Sequence, residues 1–225
     1  MARIKLTISA NAGGVLQLGS HRLLIDALHN QKVPGFSTLN PALQQTVLNS
    51  ADFADPELIC VTHEHPDHHS PSFMERAELQ WPEAQICLPA DTLCVTKGDL
   101  QMTYIPLVHD GAQYANTPHY GILIRWNEKH ILIPGDCAVA DEALVQAVAG
   151  KTVDLAILNF PWLTLRKGRM CLENVLQPKH SVFWHLPFAE DDVNRYRSSA
   201  ESALLQYCAN ANLLYNPLQT IEIDI

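Results

Sequence analysis

The sequence predicts β-sheets covered by helices, an α+β arrangement in one domain running from residue 1 to residue 225. Strand-sized apolar runs alternate with capped helical stretches along the chain. Short glycine turns divide the first of those runs into a meander of hairpins. A chain of 225 residues, 47% of them hydrophobic, can bury a full core, and no repeat, low-complexity tract or Pro/Gly/Ser linker divides it.

The elements follow in order. Ile4–Ile8, Val15–Leu18 and Arg22–Asp26 alternate as strands, separated by the Gly13-Gly14 and Gly19-Ser20 turns. Residues 40–50 carry a helical pattern opened by Asn40-Pro41. Leu58–Thr62 is a buried strand. A helix then runs from Ser70-Pro71-Ser72 to about Trp81, with a serine cap and proline in its first turn. Gln85–Leu88 and Met102–Leu107 read as strands, and Tyr120–Trp126 and His130–Ile133 pair around Asn127-Glu128-Lys129. Asp141–Ala149 is a helix stopped by Gly150. Val153–Leu158 and Ser181–Trp184 are strands, with a short helix at Glu173–Leu176 between them. Glu190–Ala211 reads as one long amphipathic helix with Asp191 and Asp192 at its positive end.

Composition disfavours several classes. Net charge is −9 with no run of Lys or Arg, so nucleic acid is disfavoured as a partner. The N-terminus lacks the apolar core of a secretion signal, and the longest apolar stretches are too short for a membrane span. Six cysteines are scattered without a C-x-x-C pair, the pattern of reduced core thiols in a cytoplasmic chain.

The densest chemistry lies between Thr62 and Ser70, where T-H-E-H-P-D-H-H-S puts four histidines and one aspartate into positions 63–69. His63 and His65 alternate, so their imidazoles can converge on one ion; Asp67 and His68 can turn towards a second. Imidazole and carboxylate together suit zinc. The tract begins where the Leu58–Val61 strand ends, which sets it apart from a surface His-rich run. Three further strands end in a ligand: Ile131–Gly135 in Asp136, Ser181–Trp184 in His185, and Tyr104–Val108 in His109.

His63-x-His65-x-Asp67-His68, followed by Gly135-Asp136 and His185, resembles the metallo-β-lactamase superfamily over nearly the whole chain, N-terminal hairpins included. Within it, the sequence looks most similar to small bacterial hydrolases of the ascorbate-6-phosphate lactonase-like branch and to phosphodiesterase-like members. The resemblance implies an αββα sandwich, two mixed sheets face to face with helices outside and metals at one edge. It implies His63, His65 and a third histidine on one zinc, Asp67, His68 and His185 on another, and Asp136 bridging. The usual T-P-G-H-T is missing. His109 is favoured as the third histidine over His119 of Thr117-Pro118-His119-Tyr120-Gly121. Asp26 resembles the family's aspartate that orients a ligand imidazole.

The activity so implied is hydrolysis of an ester, lactone or phosphodiester bond of a small molecule. Two zinc ions per chain, with manganese or iron as alternatives, would activate water as the nucleophile, and Asp67 would also handle its proton. Rival readings are an iron-dependent oxidoreductase or dioxygenase on the same fold and a non-catalytic metal-binding module; His65 favours zinc over a diiron site. Of the remaining histidines, His21 and His130 are expected exposed in turns, His29 and His180 without a role, and His69 either behind a ligand or facing out. Arg166, Lys167 and Arg169 form a basic loop after Phe160-Pro161-Trp162. Leu186-Pro187-Phe188 is a candidate apolar wall, and Cys137 a small buried neighbour of Asp136.

Overall fold

A computed structural model describes residues 2–89, 93–208 and 211–225. They pack as two units, the first comprising Met1–Leu88, His185–Arg197 and Leu214–Asp224, the second Pro89–Trp184, Ser198–Leu213 and Ile225.

In the first unit, β1 (Arg3–Ala10), β2 (Gly13–Leu18) and β3 (His21–Ile25) form the expected antiparallel meander. β4 (Leu58–Cys60) and β5 (Gln85–Cys87) add parallel to β3, and β13 (Thr220–Asp224) closes the other side antiparallel to β1, giving a mixed sheet in the order β13-β1-β2-β3-β4-β5. The crossovers carry α1 (Pro41–Asn49) and α2 (Pro71–Gln80). Asn40 caps α1 by accepting from the Leu43 N–H, and Ser70 caps α2 by accepting from that of Phe73, each with proline in the first turn. α2 buries Phe73, Met74 and Ala77, the one-face spacing of a helix on a core. They join Val15, Leu24, Ile59 and Trp81 in a continuous apolar cluster.

The second unit holds β6 (Cys94–Lys97), β7 (Leu100–Leu107), β8 (His119–Trp126), β9 (Lys129–Ile133), β10 (Leu155–Asn159), β11 (His180–Trp184) and β12 (Ala211–Leu213), in the order β12-β11-β10-β9-β8-β7-β6. The β6–β9 half is antiparallel and the β9–β12 half parallel. β10, buried at every position and apolar up to its closing Asn159, is the centre of the parallel half. Helices α3 (Glu142–Val148), α4 (Pro161–Thr164), α5 (Arg166–Cys171) and α6 (Tyr196–Tyr207) are the remaining α-helices among the described residues, with Asp141 capping α3. Two mixed sheets with helices are thus the observed fold class. All six cysteines are free thiols. Among the described residues no helix is long and apolar enough to cross a membrane.

The C-terminal helix is a correction. The 190–211 expectation contracts to Tyr196–Tyr207, and its residues 209–210 lie outside the described ones. Arg195 sits at φ 58, a left-handed conformation no α-helix can pass through. Asp192, expected inside the helix, instead stands before it and accepts from the backbone N–H of Tyr196 (2.7 Å) and Arg197 (3.1 Å). Strands β6, β12 and β13 were not anticipated, and the Glu173–Leu176 helix is a π-helical turn over Leu172–Leu176 continuing α5.

Candidate metal centre

Within the first unit, Asp26 is the organising group. It follows β3 at φ 47, is buried, and accepts three hydrogen bonds: from the Thr62 backbone N–H (2.8 Å), the Thr62 hydroxyl (2.6 Å) and His68 Nδ1 (2.9 Å). With its proton committed to Asp26, the Thr62 hydroxyl oxygen accepts from His63 Nδ1 at 2.9 Å. This network fixes the proton of both imidazoles on Nδ1 and leaves Nε2 with its lone pair, the form that binds a cation.

The chain leaves β4 through Thr62 and turns at Pro66–His68, where the N–H groups of His68 and His69 both donate to the His65 carbonyl at 2.9 Å. That turn brings the His63 and His65 rings to 4.6 Å and the His63 and His68 rings to 4.0 Å. His68 Nε2 lies 3.2 Å from His185 Nε2, which is 3.6 Å from Asp67 Oδ2. One ligand atom each from Asp67, His68 and His185 therefore lies within 4.8 Å of the other two. Two nitrogens on a tetrahedral zinc, each about 2.0–2.1 Å from it, stand about 3.3–3.4 Å apart, so the observed spacing fits such an ion.

His185 itself is held at φ 60. Its N–H donates to the Asn11 carbonyl (3.0 Å), and the Phe36 ring meets its imidazole edge-on with centroids 4.6 Å apart. Asn11 is locked in turn by a reciprocal pair with the Ser37 backbone, and the Ser37 hydroxyl accepts from the Phe188 N–H (2.7 Å). Neither Asn11 nor Ser37 stands out in the sequence, because their side chains serve backbone groups far along the chain.

The second unit holds the other two predicted ligands. Residues 108–110 and 136–138 are zipped by an antiparallel bridge between His109 and Cys137, with the Asp110 N–H on the Asp136 carbonyl (2.8 Å). His109 Nδ1 donates to the Asp110 carbonyl (2.7 Å), turning Nε2 to within 3.9 Å of Asp136 Oδ2. The His119 ring is buried 5.3 Å from that of His109. Asn159, the last residue of β10, donates its side-chain amide to Asp136 Oδ1. Sequence reading ended that strand at Leu158 and passed over Asn159, although an apolar run closing on a polar side chain was the signal that exposed Asp136 and His185.

Other candidates have structural duties. Arg169 donates to the carbonyls of Leu163 (2.8 Å) and Thr164 (2.7 Å) and stacks on Tyr207; Arg166 and Lys167 are exposed. Leu186 and Phe188 are buried rather than forming an open wall. His21, expected exposed, pairs with Glu57 at 2.6 Å, and half-buried His130 meets the Thr152 carbonyl at 3.2 Å. His29 is wholly buried, and burial, only partly opposed by a hydrogen bond to the Ala10 carbonyl, pushes its pKa down to about 4. Burial pushes the Cys137 thiol up, so it is no nucleophile at neutral pH.

No family model and no curated protein matches the sequence. Solved structures do. The chain is similar to Igni18, a metallo hydrolase from Ignicoccus hospitalis (17% identity, TM-score 0.63, 99% of each chain covered). It is similar to the metallo-beta-lactamase fold protein YhfI from Bacillus subtilis (13%, 0.59, 99% of this chain and 100% of that one). It is also similar to CmlA, a diiron beta-hydroxylase from Streptomyces venezuelae (12%, 0.62), of which it spans 54% while 99% of its own length is covered. The chain therefore has the metallo-β-lactamase fold.

Proposed function

We propose that the protein is a metal-dependent hydrolase of small-molecule esters, lactones or phosphodiesters, and that His63, His65, Asp67, His68, His109, Asp136 and His185 together hold two divalent ions, zinc by preference. The observation that carries this reading is the convergence of Asp67, His68 and His185 within 4.8 Å, with the His68 tautomer fixed by Asp26. His109 supports it from the second unit, since its Nδ1 bond to a backbone carbonyl frees Nε2 beside Asp136. The resemblance to named metallo hydrolases points the same way.

A bound pair of divalent ions supplies Lewis acidity, lowering the pKa of water to about 7 and polarising the attacked oxygen. The chain's own residues do the rest. Asp67 offers a carboxylate oxygen that orients the attacking water and accepts its proton. Asp26, through Thr62 and directly, keeps the His63 and His68 nitrogens basic. Asn11 and Phe36 hold His185 against rotation.

Metal analysis of chelator-free protein tests the centre: two zinc ions per chain are expected, and fewer than one metal ion refutes it. Turnover of bis(p-nitrophenyl) phosphate, simple esters or lactones, lost in Asp67→Ala, tests the hydrolase. The likeness to a diiron beta-hydroxylase carries a second reading, an iron-dependent oxidoreductase. Two iron ions per chain in place of zinc, with no hydrolysis across that panel, would favour it.

A further inference from the structure

Asn159 is nine-tenths buried, sits at the carboxyl end of β10, and gives its side-chain N–H to Asp136 Oδ1. Its amide oxygen, on the same planar group, has no hydrogen-bond partner among the described residues. The orientation is unambiguous chemically: swapping the amide would set a carbonyl oxygen against a carboxylate oxygen. Resting on the metal reading of Asp136, we propose that Asn159 is a positioning residue for that carboxylate. Its N–H holds Oδ1 and fixes the rotation of the group, which leaves Oδ2 on the side of His109 Nε2, 3.9 Å away.

The residue type matters. A lysine or arginine here would neutralise the carboxylate and compete with a cation for it. An amide N–H orients the group and leaves its full negative charge for metal. The buried acceptor on the other half of the amide costs free energy in isolation and calls for a donor from outside the chain. A water held at the metals, or an O–H of the substrate, is such a donor. One side chain would thus set the carboxylate and read the proton-bearing ligand beside it.

The test uses full-length Asn159→Leu, an isosteric change that removes donor and acceptor together. Zinc affinity is measured by chelator competition, the cobalt-loaded protein by its visible absorption, and the metal-free protein by thermal unfolding. Zinc affinity should fall about 10- to 100-fold and the cobalt bands should shift, while the metal-free unfolding midpoint stays level or rises. Unchanged affinity and unchanged cobalt bands overturn the proposal, and a lowered midpoint with unchanged affinity assigns Asn159 a structural role instead. Should the leucine variant not fold, Asn159→Ala is expected to show the same loss of affinity. Wild-type protein that takes up no metal overturns the metal reading and this inference with it; wild type and variant loading equally overturns this inference alone.

Discussion

Replacing Asp26 by asparagine perturbs the tautomer of His68 at the candidate metal centre without changing the size of the side chain. Asparagine has the same shape and tolerates the left-handed backbone at φ 47, so the exchange adds no steric or conformational strain. One oxygen can still accept from the Thr62 N–H, now 2.8 Å from Oδ1. The new NH2, however, occupies the place of Oδ2, which receives protons from Thr62 Oγ1 and His68 Nδ1. Two N–H groups cannot face each other, so the His68 proton moves to Nε2, the atom 3.2 Å from His185 Nε2. Nε2 then offers a cation no lone pair. Exchanging charge-assisted for neutral hydrogen bonds costs about 1–3 kcal/mol of stability, which a domain stable by about 5–15 kcal/mol survives. Zinc affinity should fall about 10- to 100-fold, or about 1.4–2.7 kcal/mol. Alanine would be a poor choice, since three buried donors would lose their acceptor at about 1–3 kcal/mol each. The assay is chelator competition on the folded variant, checked by circular dichroism. An Asp26→Asn protein that binds zinc within twofold of wild type would refute the claim that this carboxylate sets the ligand's tautomer.

Three further outcomes are expected. A Cβ added at Gly13 would sit 2.0 Å from the Asp26 carbonyl oxygen, so Gly13→Ala should cost about 1–3 kcal/mol and weaken metal binding, read by thermal unfolding and metal titration. His29, with a folded pKa of about 4 against 6.5 in the unfolded chain, stays neutral while the unfolded chain takes up a proton. Its contribution is intact above pH 6.5 and is lost as pH falls to about 4, up to about 3 kcal/mol; urea midpoints of metal-free His29→Gln should fall less between pH 7 and 4.5 than those of wild type. Finally, His109→Ala should lower metal content more than His119→Ala, and the reverse order would make His119 the third ligand.

Much of this was legible because local chemistry decided it. Asn40-Pro41 and Ser70-Pro71 announce helix starts through side chains that reach their own backbone, and both caps are observed. The N-terminal meander follows from alternation with two-residue turns. The histidine tract declared itself by density. What escaped was set by tertiary contacts. No local signal marks the left-handed Arg195 that shortens the last helix, since the polar periodicity runs straight through it. β13 finds its partner in β1, more than two hundred residues earlier, so its five residues reveal nothing until paired. His21 looked like a turn residue and is held by Glu57 across the chain. Asn159 was missed because an asparagine after an apolar run is ordinarily a turn signal, and only the carboxylate above it gives it another meaning.

The candidate ligands share a structural address, and that address explains their residue types. β3 and β4 run parallel in the first sheet; β9, β10 and β11 run parallel in the second. Asp26 and Thr62-His63 follow β3 and β4, while Gly135-Asp136, Asn159 and His185 stand at the ends of β9, β10 and β11. In each sheet these are carboxyl ends, where parallel strands run out of partners and functional groups collect. Three of the exits turn through a left-handed residue: Asp26 at φ 47, Gly135 at φ 58 and His185 at φ 60. Glycine takes that conformation freely and leaves Asp136, the next residue, to the chemistry. At 26 and 185 the strained residue is itself the candidate functional one, at a cost on the order of 1–3 kcal/mol each. Both are pinned by their own N–H, Asp26 to the Cys60 carbonyl and His185 to that of Asn11, each at 3.0 Å. Strain confined to two anchored residues keeps the His185 imidazole, and the carboxylate that holds His68, from rotating away.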